Sequence, residues 1–193
     1  FKQRVVKENN INSNLFKKSK VNPLILKRKV EENLIKTLYE LKSRDQTKYQ
    51  SPTYGEARGS DYKLFDITDP TIKIVKQDLI DLIRNSLESE IFIAESFFTI
   101  FNSGGGLNAH DHLSTIDNIK DLSLANQKYS LVYYLSIGDQ DCNEPGILKL
   151  YNPKHEILPY EGMIIIFPAD RIHSVYYKGE RDRIIIGINF YCI

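Results

Sequence analysis

Near its carboxyl end the sequence reads Arg183-Ile-Ile-Ile-Gly-Ile-Asn-Phe-Tyr-Cys192, and this stretch has the alternation of a β-strand. One face of the predicted strand is wholly apolar: Ile184, Ile186, Ile188 and Phe190. The opposite face mixes a charge, a glycine and an amide with larger groups: Arg183, Ile185, Gly187, Asn189 and Tyr191. We expect the apolar face to pack beneath helices and the mixed face to line a cavity, where a β-barrel commonly binds a small ligand.

Five segments upstream also have the length and composition of strands: 91–101, 129–137, 146–151, 163–167 and 174–177. Turn-forming residues separate them, for example in Ser103-Gly-Gly-Gly106 and Asn143-Glu-Pro-Gly146. Helical patterns come first and short strands afterwards. The sequence therefore predicts an α+β, mainly β fold, a sandwich or barrel with helices packed on one face.

Residues 1–21 are polar and basic, and we interpret them as an N-terminal arm. From residue 22 the pattern becomes helical, because an apolar stripe recurs at steps of four and three: Leu26, Val30, Leu34, Leu38 and Leu41. Residues 43–60 have the composition of a long loop, and a second helix is predicted to begin at Asp69-Pro70. We expect one domain over 22–193, with supporting helices and a loop in 22–88 and the barrel core in 89–193.

Composition excludes several classes of protein. The formal net charge is +1, so no global field favours nucleic acid or an anionic membrane, and neither is expected as a partner. Cys142 and Cys192 are too few for a disulfide framework, which favours a reducing compartment and a cytoplasmic location. Phe1 is the first residue, and we expect further residues upstream in the full-length chain.

The histidines carry the signal for chemistry. Two of the four lie in Asn108-Ala-His-Asp-His112, and along an extended segment His110 and His112 project to the same side and can hold one metal ion. His173 precedes a predicted strand, and Arg183 follows ten residues later on the mixed face. Three ligands on one side of an iron ion leave positions free for other molecules, and an arginine fork suits a carboxylate. His155 lies in a polar stretch, and we interpret it as structural.

This order of motifs resembles the catalytic core of 2-oxoglutarate/Fe(II) oxygenases of the prolyl-hydroxylase type, most of all a bacterial and phage group with a His-x-His first motif. The resemblance covers residues 91–190, half of the chain. No single motif is specific, but their order and spacing are: His110-Asp-His112, Ser130-Leu-Val-Tyr-Tyr-Leu135, Gly146-Ile-Leu-Lys-Leu-Tyr151, Pro159-Tyr-Glu-Gly-Met-Ile-Ile-Ile-Phe-Pro168, His173-Ser-Val175 and Arg183-Ile-Ile-Ile-Gly-Ile-Asn189.

The resemblance implies a double-stranded β-helix (a cupin-like jelly-roll barrel) with the N-terminal helices packed on one sheet. It implies Fe(II) as cofactor, 2-oxoglutarate and dioxygen as co-substrates, and a hydroxylase-type reaction that releases succinate and carbon dioxide. His110 and His173 would be iron ligands, and Arg183 would bind the distal carboxylate of 2-oxoglutarate. The remaining implied contacts are the hydroxyl of Tyr134 at that carboxylate, Leu148 against the methylenes and Asn189 near the iron end.

One position departs from the family pattern, which has Asp or Glu where this chain has His112. Three neutral imidazoles leave Fe(II) its full charge, whereas a carboxylate ligand would cancel one unit. Asp111 or Asp117 could be the second metal ligand only if the local backbone departs from a plain strand. We therefore predict that His112 is the second ligand.

Alternatives stay open at this point. Arg183 could form an ordinary salt bridge with Asp182 or Glu180, and Arg181 is the competing carboxylate clamp. A three-His iron dioxygenase of the cupin type would need no 2-oxoglutarate, and a non-catalytic jelly roll would only bind a ligand. The substrate, either a peptide or a small molecule, is not specified by the sequence. The loop 113–128 is the candidate for its selection or for a lid, and the helices could form a homodimer face.

Overall fold

The computed structural model describes residues 22–45, 57–102 and 104–193. The predicted arm 1–21 lies outside the described residues, as does most of the predicted loop 43–60. The described residues form eleven strands: β1 (Leu24–Lys27), β2 (Arg44–Asp45), β3 (Ala57–Gly59), β4 (Ile91–Phe101), β5 (Gly106–His110), β6 (Lys128–Ile137), β7 (Leu148–Leu150), β8 (His155–Ile157), β9 (Met163–Pro168), β10 (His173–Tyr176) and β11 (Arg183–Cys192).

The strands build two antiparallel sheets. The larger has seven strands in the order β1-β9-β6-β11-β4-β3-β2, and the smaller has four in the order β5-β10-β7-β8. The six predicted strands are confirmed, and 91–101 agrees with β4 at both ends. Five short strands were not predicted: β1, β2, β3, β5 and β8.

Two α-helices occur in the described part of the chain, α1 (Glu32–Glu40) and α2 (Pro70–Leu87). The predicted start of the second helix is confirmed, because Pro70 opens α2 and the Asp69 carboxylate accepts hydrogen bonds from the backbone N–H groups of Thr71 and Ile72. None of the described helices is long and apolar enough to cross a membrane.

The prediction of a helix from residue 22 was wrong at its start. Leu24–Lys27 form β1, an edge strand that pairs with β9. Leu24 and Leu26 pack against the core while Ile25 is exposed, which is the two-residue period of a strand. The apolar stripe is helical only from α1 onwards, where Leu34 and Leu38 are buried.

The two faces of the seven-stranded sheet have different neighbours. One face packs under the helices, as predicted for β11, and forms the larger core with these helix residues: Leu34, Leu38, Ile72, Val75, Leu79 and Ile83. Each such side chain contributes about 1.5–3 kcal/mol when fully buried. The opposite face turns towards the four-stranded sheet and holds a second, smaller core. The fold is thus mostly β with two supporting helices, and it leaves one sheet face for a site.

Candidate active site

Three histidines converge on the inner side of the sheets. His110 ends β5 and His173 begins β10, and these two residues are directly paired across the four-stranded sheet. His112 lies two residues beyond β5, where its backbone N–H donates to the Ala169 carbonyl at 2.8 Å. The ligand atoms of the three imidazoles all lie within 4.8 Å of one another, and the Nε2 atoms of His112 and His173 are 3.1 Å apart. Two nitrogens bound at about 2.1 Å at right angles on one metal would be about 3 Å apart, so this spacing fits a shared ion.

Backbone carbonyls orient two of the imidazoles. The Nδ1 atom of His110 lies 2.6 Å from the Asn108 carbonyl, and that of His173 lies 3.0 Å from the Arg171 carbonyl. Because a carbonyl can only accept, each Nδ1 carries a proton, and in the neutral imidazole the free lone pair is then on Nε2. This is the tautomer that a metal ligand needs.

Burial keeps two of these imidazoles neutral. It lowers the pKa of His112 to about 2, assisted by the neighbouring imidazoles of His173 and His110 and by Lys128. Burial likewise lowers the pKa of His173 to about 4, assisted by His110 and opposed by the Arg171 carbonyl. Both side chains are therefore unprotonated at neutral pH, which is the state that binds a metal ion.

The two carboxylates considered as alternatives to His112 are engaged elsewhere. Asp117 is buried and accepts hydrogen bonds from four donors: the Ser114 backbone N–H and hydroxyl, Lys128 and the Tyr191 hydroxyl. Burial alone would raise the pKa of Asp117, but these bonds together lower it below its ordinary range. The Asp111 carboxylate is exposed and accepts from the Leu113 backbone N–H. In the described residues the histidine cluster contains no carboxylate, and His112 is one of its three members.

Arg183 lies on the cavity face of β11, and its side chain is buried with only 1% of its surface exposed. Its Nη1 donates to the Gly146 carbonyl at 2.5 Å, and its Nε has no hydrogen-bond partner in the part of the chain that the structure describes. No carboxylate of the described residues lies within ion-pair distance. The expected alternative partner, Asp182, accepts instead from Tyr39 and Asn102. Burial lowers the pKa of Arg183, so its charged form is stabilised too little by its own surroundings.

The groups around the Arg183 guanidinium leave space beside it and do not neutralise its charge. Gly146 has a φ of +80°, and a Cβ there would come within 1.3 Å of Arg183 Nη1, so only glycine allows this approach. The Tyr134 ring lies under the guanidinium at 5.2 Å, and the Tyr177 ring lies at 6.0 Å. Burial raises the pKa of Tyr134, with Arg183 opposing, so the phenol keeps its proton and remains a donor. Arg181, the competing clamp, is exposed.

One cavity of about 50 Å³ joins these groups. Its lining includes all but one of the predicted site residues: His112, His173, Arg183, Tyr134, Leu148 and Asn189. The remaining one, His110, belongs to the histidine cluster. Asn189 Nδ2 lies 3.4 Å from His112 Nδ1, so Asn189 sits at the histidine end of the cavity. His155 lies outside the cluster beside Arg171. The structure thus brings the predicted residues together in one place.

Sequence reasoning missed several residues of the cavity and its edge. Tyr177 was assigned only to a strand, yet its hydroxyl accepts from the Asp139 backbone N–H and donates to the Arg181 carbonyl beside the guanidinium. Glu95 and Ser130 flank Asn189, and Phe97 lies over Gly187. The only available signal was their position in predicted strands, which does not distinguish a cavity residue from strand filling.

No family model matches the chain, and no curated protein matches it in sequence. Solved structures do match. The prolyl-4-hydroxylase of Pseudomonas putida is 16% identical with a TM-score of 0.62, covering 89% of this chain and 92% of that one. HygX from Streptomyces hygroscopicus, solved with nickel and 2-oxoglutarate bound, is 12% identical with a TM-score of 0.66, covering 94% and 86%. The viral collagen prolyl hydroxylase of Paramecium Bursaria Chlorella virus-1, a 2-oxoglutarate complex, is 12% identical with a TM-score of 0.63, covering 89% and 96%. The resemblance found in the sequence is thereby confirmed for the fold: this chain has the fold of 2-oxoglutarate/Fe(II) oxygenases and prolyl hydroxylases.

Proposed function

We propose that the chain is an Fe(II)- and 2-oxoglutarate-dependent dioxygenase of the hydroxylase type, built on a double-stranded β-helix. One observation carries the proposal: two members of a three-histidine cluster, His112 and His173, line the same cavity as a buried arginine that has no carboxylate partner among the described residues. A 2-oxo diacid can bind a metal through its 2-oxo acid end and a guanidinium through its distal carboxylate. HygX and the viral collagen prolyl hydroxylase were both solved with this co-substrate, which supports its assignment here.

The residues fit the groups that the proposal requires. His110, His112 and His173 would hold the metal through imidazole nitrogens, a donor set that suits Fe(II). Arg183 would bind the distal carboxylate of 2-oxoglutarate through its unpartnered Nε, with the Tyr134 hydroxyl as a second donor. Leu148 would contact the methylenes and Asn189 would lie at the metal end. Bound iron would supply the reaction of dioxygen with 2-oxoglutarate, which yields succinate and carbon dioxide and oxidises the substrate.

The contribution of this chain is placement and charge. The buried guanidinium favours a dianion over a neutral acid, because desolvation makes its missing counter-ion costly. The buried imidazoles are already neutral and need lose no proton before they bind metal. The apolar lining keeps water away from the reacting groups.

Several expectations stay proposals. The primary substrate is a small molecule or a peptide. The loop 113–128 would select it or cover it, and three apolar side chains are exposed along that loop: Ile116, Ile119 and Leu122. A homodimer and a cytoplasmic setting are proposed as well, the latter supported by the free thiols of Cys142 and Cys192.

An anaerobic titration tests the function. Fe(II) and then 2-oxoglutarate are added to the metal-free protein while the visible metal-to-ligand charge-transfer band is recorded. We expect a band that requires both components, followed by succinate release in air. Tight iron binding without a band would instead support a three-His dioxygenase that binds its substrate directly. Absence of iron binding would leave a non-catalytic binding protein.

A further inference from the structure

Glu95 occupies a position on the cavity side that the proposed chemistry does not use. It lies on β4 directly opposite Asn189 of β11, which in turn lies opposite Ser130 of β6. Residues paired across antiparallel strands share a face, so these three side chains form one row on the inner face of the sheet. The same row reaches His112 through Asn189.

The Glu95 carboxylate is incompletely paired. Asn189 Nδ2 donates to Glu95 Oε2 at 2.6 Å, while Asn189 Oδ1 accepts from the Ser130 hydroxyl at 2.7 Å. Among the described residues the other oxygen of Glu95 has no hydrogen bond, and no cation lies within ion-pair distance of the carboxylate. Lys128, in the next row, forms its ion pair with Asp117 at 2.8 Å. The Asp117 carboxylate accepts from four donors and has a structural role, whereas the Glu95 carboxylate accepts from one donor.

Aromatic rings flank Glu95 on both sides. Phe97 lies opposite Gly187 in the row towards Arg183, and it meets Tyr62 edge to face at 5.5 Å. Phe92 lies opposite Tyr191 in the row on the other side, with ring centroids 6.4 Å apart. Phe92 and Tyr62 are both more than half exposed. A carboxylate with aromatic rings in the neighbouring rows is a combination that can bind organic cations, through charge and through the ring quadrupoles.

We propose that Glu95 binds a cationic group, an alkylammonium or a guanidinium, of the primary substrate beside the metal centre; this inference rests on the proposed function. Glu95 thereby selects positively charged substrates over neutral ones. The Asn189 hydrogen bond holds the carboxylate in place, and the neighbouring rings cover the apolar part of the cation.

The test compares n-butylguanidinium with its neutral isostere n-butylurea. Each is titrated into protein loaded with Mn(II) and 2-oxoglutarate, and binding is followed by the paramagnetic relaxation of the butyl protons. We expect the cation to bind about tenfold more tightly than the urea. Glu95→Gln, which keeps an oxygen to accept the Asn189 hydrogen bond, should abolish this preference. Glu90→Gln is the matched control, because Glu90 is exposed and paired with Arg84 at 2.7 Å.

Equal affinities for the two probes in the wild type would overturn the inference, as would a preference that survives Glu95→Gln or no binding of either probe at millimolar concentration. Binding of Mn(II) and 2-oxoglutarate is measured first, in both the wild type and Glu95→Gln. If the wild type fails that step, the proposed function fails and takes the inference with it. If both proteins bind Mn(II) and 2-oxoglutarate, a later failure to prefer the cation contradicts only the inference about Glu95.

Discussion

Arg28 and Arg183 are both buried, on opposite sides of the seven-stranded sheet. On the helix side, Arg28 contacts two carboxylates and a phenol: Glu31 at 2.7 Å, Asp78 at 2.7 Å and the Tyr133 hydroxyl at 3.0 Å. Burial would lower its pKa, but these partners together raise it. On the cavity side, Arg183 has a carbonyl and two aromatic rings, and its pKa is lowered by burial.

This difference shows that the face on the helix side satisfies its buried charge with the protein's own groups, whereas the face on the cavity side does not. The helix side pairs its buried charge and fills the remaining space with apolar side chains. Among the described residues, the cavity side offers no anion to the Arg183 guanidinium and gathers three imidazoles with no carboxylate among them. Buried charges are normally paired or bound to metals, which supports the proposal that the cavity side binds a ligand carrying the missing negative charge.

The largest effect should come from the histidine cluster. We expect His173→Ala to reduce affinity for Co(II) or Fe(II) by more than about 100-fold, because it removes a ligand rather than a supporting group. His155→Ala is the control, since His155 lies in the same small sheet but outside the cluster. Calorimetric titration of the metal measures both variants. Comparable losses in the two would mean that the cluster is not the metal site.

Acid sensitivity should also arise on the cavity side. The pKa values of His112 and His173 are about 2 and about 4 in the folded protein, below the ordinary histidine pKa of about 6.5. As pH falls through this window the unfolded chain takes up protons that the folded protein excludes, so stability falls. We expect the metal-free protein to lose about 4 kcal/mol of unfolding free energy between about pH 7.5 and pH 5, about 2 kcal/mol for each of the two histidines. Urea unfolding measures this loss, and His173→Asn should reduce it.

A pH-independent unfolding free energy over that range would contradict the burial argument. It would also imply that the cluster is open to solvent without its metal. His155→Gln serves as the control, and its pH dependence should match the wild type.

The smallest predicted effect is a difference in unfolding free energy between variants of Arg28 and Arg183. We expect Arg28→Met to lower the unfolding free energy by about 1 kcal/mol, a modest loss because both carboxylate partners are nearly half exposed. Arg183→Met should leave stability unchanged or raise it, because it removes a buried charge that has no counter-ion. Urea unfolding in the absence of metal and 2-oxoglutarate measures the unfolding free energy of both variants. If Arg183→Met is the more destabilised variant, the guanidinium has a structural role.

The parts of this account that the sequence predicted are those with a local signal. The alternation in β11 assigned both faces of the central strand, and Asp69-Pro70 marked the start of α2 because a helix cap is a local hydrogen bond. The His-x-His spacing gave two of the three cluster members. These signals depend on residues a few positions apart.

The parts that were missed depend on partners distant in the chain. Leu24–Lys27 became a strand through pairing with β9, which overrides the helical spacing of its leucines. In β4 the pairing with β11 steps from Glu95 to Ile93 and passes over Ala94, so a bulge places both Glu95 and Phe92 on the cavity face. Plain alternation would have put them on opposite faces. The hydrogen bonds that engage Asp117 likewise come from Lys128 and Tyr191, which only the fold brings together.

The most direct test of the central claim is the affinity of the Ni(II)-loaded protein for 2-oxoglutarate, measured by calorimetry for the wild type, Arg183→Met and Arg181→Met. We predict that Arg183→Met weakens binding by about 100-fold while nickel affinity is unchanged, and that Arg181→Met, which alters an exposed side chain, has no effect. Binding by Arg183→Met within about twofold of the wild type would contradict the account, because the buried guanidinium would then not be the site of the distal carboxylate.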